Sequence, residues 1–242
     1  MTGRFEGPPK YTMNVQALQS IAARRIPVYW FLSDLYLMPP CIERLPQLRA
    51  AVEEGCGEHA MTLEHGLSLL EQDAAVDDRA LNDEFNRLFV KSTDAPDLGS
   101  PSESSQRRRT SQRQNAETVT TAYQEAGFGL PLSSVTPADH IGVELKFMAL
   151  LSCREMQGWR DDNGALAASW LQRERRFLDE HLLQWVPDYC ALLMRASRLK
   201  FYRGLAELTT GMLLCERQHM AFLLSRSSVG AGEAFSCTLP QH

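Results

Sequence analysis

Helical periodicity constrains the fold of this chain more than any other feature of its sequence. Apolar residues recur at spacings of three and four from one end to the other, and neither a convincing strand pattern nor an internal repeat interrupts them. One well-defined apolar stripe, with positions i, i+4, i+7 and i+8, consists of Leu81, Phe85, Leu88 and Phe89. The sequence therefore predicts an all-α protein.

Glycine, proline and capping residues divide this pattern into consecutive helices. Pro27 lies within the first helix and predicts a kink or a break there, because proline lacks the amide hydrogen that a helix uses. Asp77 and Asp78 are natural N-terminal caps, and Trp185-Val186-Pro187 is typical of a helix start with proline in the first turn. The predicted helices span residues 15–37, 42–54, 59–72, 78–90, 116–126, 137–157, 164–181, 185–196 and 199–223.

A polar segment, residues 92–116, separates the first helices from the rest. It is rich in Ser, Asp, Pro, Gln and Arg, is locally basic at Arg107-Arg108-Arg109, and has Leu98 as its only large apolar residue. Such a composition predicts a long, flexible loop. We expect a single-domain multi-helix bundle over residues 15–223 that contains this central loop, with an N-terminal tail at 1–14 and a disordered C-terminal tail at 224–242.

Composition and charge narrow the class of function. The chain has 242 residues, which suits one large domain, and 44% of them are hydrophobic, which is enough for an ordinary core. A net charge of −5 leaves no broad basic surface for nucleic acid. No secretory signal opens the sequence, and no apolar run reaches the ~18–20 residues of a membrane span. We expect a cytoplasmic protein without an integral membrane span that does not bind nucleic acid.

The motifs that mark common enzymes and metal sites are missing from the sequence. It contains no G-x-S-x-G, P-loop, dinucleotide-binding glycine fingerprint or H-E-x-x-H. Cys215 and His219 stand four residues apart on a predicted helix, but two ligands do not make a zinc site. The irregular spacing of the six cysteines predicts reduced thiols rather than a disulfide framework. We therefore expect no enzyme activity, no metal and no cofactor.

One segment carries the strongest local signal. Thr136 can be an N-cap with Pro137 in the first helical position, and Asp139 follows three residues after the cap, which approximates a capping box. Helical spacing places His140 and Glu144 on one face. The neighbouring apolar stripe consists of Ile141, Leu145 and Met148. Periodicity alone thus predicts a capped core helix.

The same segment resembles the signature of the TorD/DmsD family of chaperones. The family's pattern is close to P-x-D-H-[ILV]-x-x-E-L-x-F-M, and residues 137–148 read P-A-D-H-I-G-V-E-L-K-F-M. Residues 84–90, 122–128 and 176–187 agree with the family in type and order, reading E-F-N-R-L-F-V, A-Y-Q-E-A-G-F and R-F-L-D-E-H-L-L-Q-W-V-P. The resemblance covers roughly residues 15–223 and implies a TorD-like helical bundle.

One motif of the family is only partly present. Its central loop usually carries P-[YW]-x-S-x-Y, whereas Pro101-Ser102-Glu103-Ser104 keeps the proline and a serine without the aromatic residues. This departure bears on how the loop contacts a partner and on which partner it contacts.

The resemblance implies a binding protein rather than an enzyme. Members of this family are cytoplasmic chaperones that bind the twin-arginine signal peptide and the apoprotein of a molybdenum-cofactor oxidoreductase of the DMSO/TMAO reductase type. They aid cofactor insertion and delay export until the enzyme is mature. Relatives occur as monomers or as domain-swapped homodimers, and a long central loop suits the hinge of such a swap.

The resemblance also suggests which residues bind the peptide. A twin-arginine leader offers two guanidinium groups and then an apolar stretch, which an apolar groove with a polar end can accommodate. By this hypothesis an apolar wall and a polar end consist of Phe85, Leu88, Phe89, Asp139, His140 and Glu144. The apolar stripe is also typical of a helix that faces the core, and Asp139 can cap a helix as well as bind.

Three alternatives stay open at this point. The chain can be a maturation factor that handles the molybdenum cofactor or a nucleotide, although it lacks a phosphate-cradling loop. It can be an assembly chaperone of the nitrate-reductase type. It can also be a helical adaptor of unrelated function.

Overall fold

The computed structural model describes most of the chain between Asn14 and Gly230. The described residues are 14–52, 59–73, 77–90, 95–107, 112–129 and 136–230, without the side chains of 112–115 and 226–230. The predictions for tail residues 1–13 and 231–242 lie outside them.

The described residues form helices and no β-strand. The helices are α1 (Val15–Leu37), α2 (Leu45–Val52), α3 (Ala60–Gln72), α4 (Asp78–Phe85), α5 (Glu103–Gln106), α6 (Gln112–Glu125), α7 (Ile141–Arg160), α8 (Gly164–Phe177), α9 (Leu183–Ala196) and α10 (Lys200–Gly230). A 3-10 turn at Ile42–Arg44 precedes α2, and π-helical turns follow α4 at Asn86–Val90 and join α8 to α9 at Leu178–Leu182. The all-α, single-domain prediction is confirmed.

Two long helix pairs organise the bundle. Helix α1 packs along α7 and α3 packs along α10, while α8 lies on α7 and α9 lies on α10. Apolar side chains from these helices form a large main core, and Ala22, Trp159 and Ala167 form a small second cluster. Its largest fully buried side chains are Tyr29, Tyr36, Trp185, Tyr189, Phe201 and Tyr202.

Glycines allow both pairs to approach closely. A Cβ atom on Gly204 would lie 2.5 Å from the carbonyl oxygen of Gly66, so α3 and α10 are in backbone contact there. A Cβ on Gly142 would lie 2.5 Å from Cγ of Leu37, and the Ser33 hydroxyl donates to the Gly142 carbonyl at 2.7 Å. The α1–α7 contact therefore depends on a glycine inside the signature segment.

Neither internal proline ends its helix. Helix α1 continues through Pro27, where a break was among the predictions, because Pro27 is exposed and water can satisfy the carbonyl that loses its amide partner. Pro187 lies inside α9 rather than in a first turn, because α8, the π-helical turn and α9 follow one another without interruption.

The central polar segment is shorter and more structured than predicted. Helix α6 begins at Gln112 rather than near 116, and α5 forms one turn within the predicted loop. Leu98 and Ser102 are buried there, and so is Glu103. At the other end of the chain, α10 extends to Gly230, seven residues past the predicted end at 223.

The cysteines differ from one another in state. Cys41, Cys153 and Cys190 are free, whereas Cys215 is disulfide-bonded. This corrects the prediction that all cysteines are reduced and removes the Cys215 thiol as a metal ligand beside His219. Within the described ranges, no helix is both long and apolar enough to cross a membrane.

Candidate functional site

Helix α7 begins at Ile141, four residues later than the sequence predicts. Its N-cap is His140, whose Nδ1 accepts a hydrogen bond from the Gly142 amide at 3.1 Å. The predicted capping box built on Thr136 is therefore wrong, because Asp139 lies before the helix and binds another part of the chain. Burial, opposed in part by Asp139, lowers the pKa of His140 to about 4. The imidazole is thus neutral at physiological pH, as an acceptor of the cap hydrogen bond requires.

Residues 101–107, which we call the strap, dock on the start of α7. The Ile141 amide donates to the Pro101 carbonyl and the Glu103 amide donates to the Asp139 carbonyl, both at 2.9 Å. The Ser104 amide donates to the Asp139 carboxylate at 2.7 Å. The two backbone bonds form an antiparallel β-bridge between Ser102 and His140. Asp139 and the Ile141 amide of the signature therefore hold the strap in place, while His140 between them caps the helix.

The strap carries a buried carboxylate into the protein. The side chain of Glu103 is fully buried and is paired on one oxygen with the Arg107 guanidinium. Its other oxygen lies 2.9 Å from Nδ1 of His181, in the π-helical turn. Arg107 also donates to the carbonyl of Glu180 at 3.2 Å. The pairs with Arg107 and His181 offset part of the cost of burying this charge.

Glu144 adds a further carboxyl group to the same region. It is fully buried, and Trp185 donates to one of its oxygens at 3.4 Å, while the other oxygen has no partner among the described residues. Burial first, and then the charges of Glu103 and Asp139, raise the pKa of Glu144 well above its ordinary value. A protonated carboxyl can be buried here at a much lower cost than a carboxylate. We call Glu103, Arg107, Asp139, His140, Glu144 and His181 the strap cluster.

The apolar residues proposed for a groove wall lie mostly in the core. Phe85 and Leu88 are buried, and Phe89 is partly buried against the rings of Phe85, Tyr36 and Tyr202. The structure brings Asp139, His140 and Glu144 together at the start of α7. It keeps Phe85 and Leu88 off the surface, so Phe89 is the member of this stripe nearest to solvent.

A cleft of about 610 Å³ opens beside the strap cluster. Its walls come from α6, from α8 with the π-helical turn, and from Arg107 of the strap. The floor is apolar and includes Phe147, Phe177 and Ala122. The charged and imidazole side chains around it are Arg107, Glu125, Arg173, Arg176, Asp179, Glu180 and His181. A cleft with an apolar floor and both signs of charge at its rim suits a peptide better than a small apolar molecule.

A second buried polar cluster lies deeper in the bundle. The Arg25 guanidinium from α1 is paired with Glu155 of α7 and Glu216 of α10, each at 2.7 Å, and with Glu174 of α8. Tyr29 donates to Glu216 at 3.0 Å, and all four charged side chains are buried. We call Arg25, Glu155, Glu174 and Glu216 the Arg25 cluster. A mainly apolar cavity of about 170 Å³ reaches Arg25 and Glu216.

Sequence reasoning missed half of the strap cluster. Glu103 stands in a polar segment and looks solvent-exposed, and His181 looks like a packing residue of a helix junction. The four-residue spacing of Glu103 and Arg107 is one signal that could have paired them. Within the part of the chain that the structure describes, no group of three or more His, Cys, Asp or Glu side chains is arranged to hold a metal ion.

Comparison with known proteins identifies the family. The comparison with curated proteins found no match. The family model described as nitrate reductase delta subunit matches residues 46–191, a range that includes the strap and the signature segment. The match spans more than half of the chain and confirms the resemblance to TorD-like chaperones. The chain therefore belongs to the nitrate reductase delta subunit family, a family of molybdoenzyme assembly chaperones.

Proposed function

We propose that this protein is a cytoplasmic chaperone that binds the twin-arginine signal peptide and the apoprotein of a molybdenum-cofactor oxidoreductase. By this proposal it aids cofactor insertion and delays export until the client is mature. Family membership supports the general role of an assembly chaperone. The twin-arginine peptide and a client of the DMSO/TMAO reductase type are the specific content of the proposal.

The observation that supports the proposal most is the cleft beside the strap cluster. A twin-arginine leader needs carboxylates or carbonyl groups for its guanidinium groups and an apolar surface for the stretch that follows. The cleft offers Glu125 and Glu180 at its rim and Phe147 and Phe177 at its floor. Both needs are met within one concave surface that the signature segment supports.

The signature residues act in this proposal mainly through the strap. Asp139 and His140 are 1% and 8% exposed, so in this conformation they offer little surface to a peptide. The bonds of Asp139 position the backbone of the strap and hence one wall of the cleft, while His140 caps α7 directly beside it. Glu144 is hydrogen-bonded to Trp185 in the same region, whereas Phe89 packs against Tyr36 and Tyr202 and is not among the residues that line the cleft.

Isothermal titration calorimetry with synthetic leader peptides tests the proposal. The wild-type protein should bind a twin-arginine leader, and Asp139→Ala combined with His140→Ala should weaken binding at least about tenfold, a loss of about 1.4 kcal/mol. Arg160→Met is the matched control, because Arg160 is an exposed residue at the far end of α7. Circular dichroism should show that each variant is folded. Failure of the wild-type protein to bind every twin-arginine leader tested would contradict the proposal.

The family description favours a second candidate, an assembly chaperone of the nitrate-reductase type. Such a chaperone would bind the catalytic subunit of a nitrate reductase. N-terminal peptides from the catalytic subunits of nitrate, DMSO and TMAO reductases should be titrated side by side. Tightest binding to the nitrate reductase peptide would favour this second candidate over the first.

A further inference from the structure

We propose that the cleft binds an arginine side chain of the client's leader in the place that Arg107 of the strap occupies in this structure. By this proposal the Arg107 guanidinium occupies the site while no client is bound, and the guanidinium of a leader arginine replaces it on binding. This inference rests on the proposed function, since it names the groups that would recognise the leader.

The site for the guanidinium is already built. Arg107 bonds to the carboxylate of Glu103 and donates to the carbonyl of Glu180 at 3.2 Å. Glu103 is 0% exposed, and its second oxygen lies 2.9 Å from the His181 imidazole, so the carboxylate is fixed in position. We call the Glu103 carboxylate and the Glu180 carbonyl together the guanidinium slot. Both bonds of Arg107 come from one guanidinium nitrogen, Nη1. A guanidinium suits this buried pair better than a lysine ammonium, because the guanidinium is more weakly hydrated.

Arg107 can leave the slot without undocking the strap. The strap is held by hydrogen bonds of Pro101, Glu103 and Ser104 to the start of α7, and none of them uses the Arg107 side chain. That side chain is 28% exposed and lies at the mouth of the cleft, directly after the one-turn helix α5. It can therefore swing toward solvent while the backbone of the strap stays in place.

Exchange is favoured over simple release because Glu103 stays buried. A buried carboxylate that loses its cation is strongly unfavourable, so the slot is most stable when a cation fills it. An arginine from the leader restores the ion pair, and the charge inside the protein is unchanged. The displaced Arg107 becomes solvated, which costs little for an exposed guanidinium.

The rest of the cleft fits what surrounds the arginine in a leader. The exposed side chain of Glu125 lies on the α6 wall of the same cleft and offers a carboxylate to the second arginine of the pair. The apolar floor of Ala122, Phe147 and Phe177 offers a surface to the apolar stretch that follows the arginines. Arg107, which fills the guanidinium slot, and Glu180 line the same cavity as this floor, so one extended peptide can reach both.

Fluorescence anisotropy with labelled leader peptides tests the exchange. A twin-arginine leader is compared with the same leader carrying two lysines, on wild-type protein, Arg107→Met, Glu103→Gln and the control Arg160→Met. Arg107→Met should bind the arginine leader about fivefold more tightly than wild type, because apparent affinity rises with the fraction of molecules whose slot is accessible. Glu103→Gln should lose most of the preference for arginine over lysine. Arg160→Met should behave as wild type.

The outcomes separate this inference from the proposed function. If wild type binds the arginine leader but Arg107→Met binds it equally or more weakly, the exchange is overturned while the proposed function stands. If wild type binds no leader, both are overturned.

A leader with a photo-reactive benzophenone beside its arginines gives a readout on unmutated protein. Crosslinks to α6, to the α8–α9 run, to Phe147 or to the strap support the proposed cleft, and crosslinks confined to other parts of the protein overturn it.

Discussion

The two buried polar clusters are similar in composition but different in what they hold together. The Arg25 cluster joins α1, α7, α8 and α10, all of them long helices of the core. The strap cluster joins a seven-residue segment to the start of α7 and to the π-helical turn. The first borders a small, mainly apolar cavity, and the second borders a cleft more than three times larger with charged walls.

This difference shows that burial of charge does not by itself mark a functional site. In the Arg25 cluster every partner is on a helix, so removing the ion pairs would disturb the core. In the strap cluster one partner, Arg107, is on a short segment and partly exposed. A buried carboxylate whose cation can be exchanged at a cleft is suited to binding, whereas one enclosed by helices is suited to fixing how those helices pack.

The largest expected effect tests the structural side of this comparison. Arg25→Met leaves Glu155, Glu174 and Glu216 without their shared cation and should lower the free energy of unfolding by about 3–5 kcal/mol. Urea denaturation followed by circular dichroism measures this loss. The control is Arg79→Met on α4, whose side chain is 86% exposed, and it should change stability by less than about 0.5 kcal/mol. A loss below about 1 kcal/mol for Arg25→Met, well short of the cost of breaking a buried ion pair, would remove the contrast between the clusters.

The second effect tests the cap of α7 through pH. The pKa of His140 is about 4 when folded against 6.5 ordinarily, so the unfolded chain takes up this proton first. Stability should therefore fall as pH decreases from 6.5 toward 4, by about 3 kcal/mol from this group. His140→Asn keeps a capping side chain that does not titrate and should show a correspondingly smaller loss over this range in urea denaturation.

The control for the pH experiment lies on the Arg25 side of the molecule. Asn163 caps α8, the helix of Glu174, by accepting from the Leu166 amide at 3.0 Å. Asn163→Ala should cost about 1 kcal/mol, and by the same amount at every pH, because an amide cap does not titrate. Equal pH dependence of wild type and His140→Asn would contradict a neutral histidine cap.

The smallest effect concerns the contact between α1 and α7 at Gly142. Helix α1 carries Arg25, and the strap docks on the start of α7. Gly142→Ala would place a Cβ 2.5 Å from Cγ of Leu37 and 3.0 Å from the Ser33 carbonyl oxygen, so α1 and α7 must separate slightly. We expect a loss of about 1–3 kcal/mol in thermal or urea unfolding. Gly164→Ala is the control, because its Cβ would meet its nearest neighbour at an ordinary 3.5 Å. Equal stability of the two variants would show that the α1–α7 contact is adaptable.

The sequence predicts most helices of this fold but not their contacts. Helices 15–37 and 59–72 match α1 and α3 almost residue for residue, because the 3.6-residue period is a local property of the chain. The start of α7 was misplaced by four residues. Thr136 and Pro137 carry a good local start signal, but the bonds of Asp139 and Ile141 to the strap compete with it and prevail.

The candidate site was predictable only where a motif pointed to it. Asp139, His140 and Glu144 were found through the signature, and their neighbours Glu103 and His181 were not. A buried glutamate in a Ser- and Arg-rich segment has no local sign of burial, because its partners lie up to 78 residues away along the chain. Likewise the stripe of Phe85 and Leu88 could not show whether it faces a groove or the core.

The uninterrupted helical run from Gly164 to Ala196 contributes residues to both buried polar clusters. Glu174, in the first half of the run, is bonded to Arg25. About 10 Å further along, the Glu180 carbonyl forms one side of the guanidinium slot and His181 bonds to the Glu103 carboxylate. One helical run therefore contacts both the Arg25 cluster and the cleft. By our proposal, a client arginine in the slot would contact an element that the Arg25 cluster already fixes in the core, so the exchange would need movement of the Arg107 side chain alone.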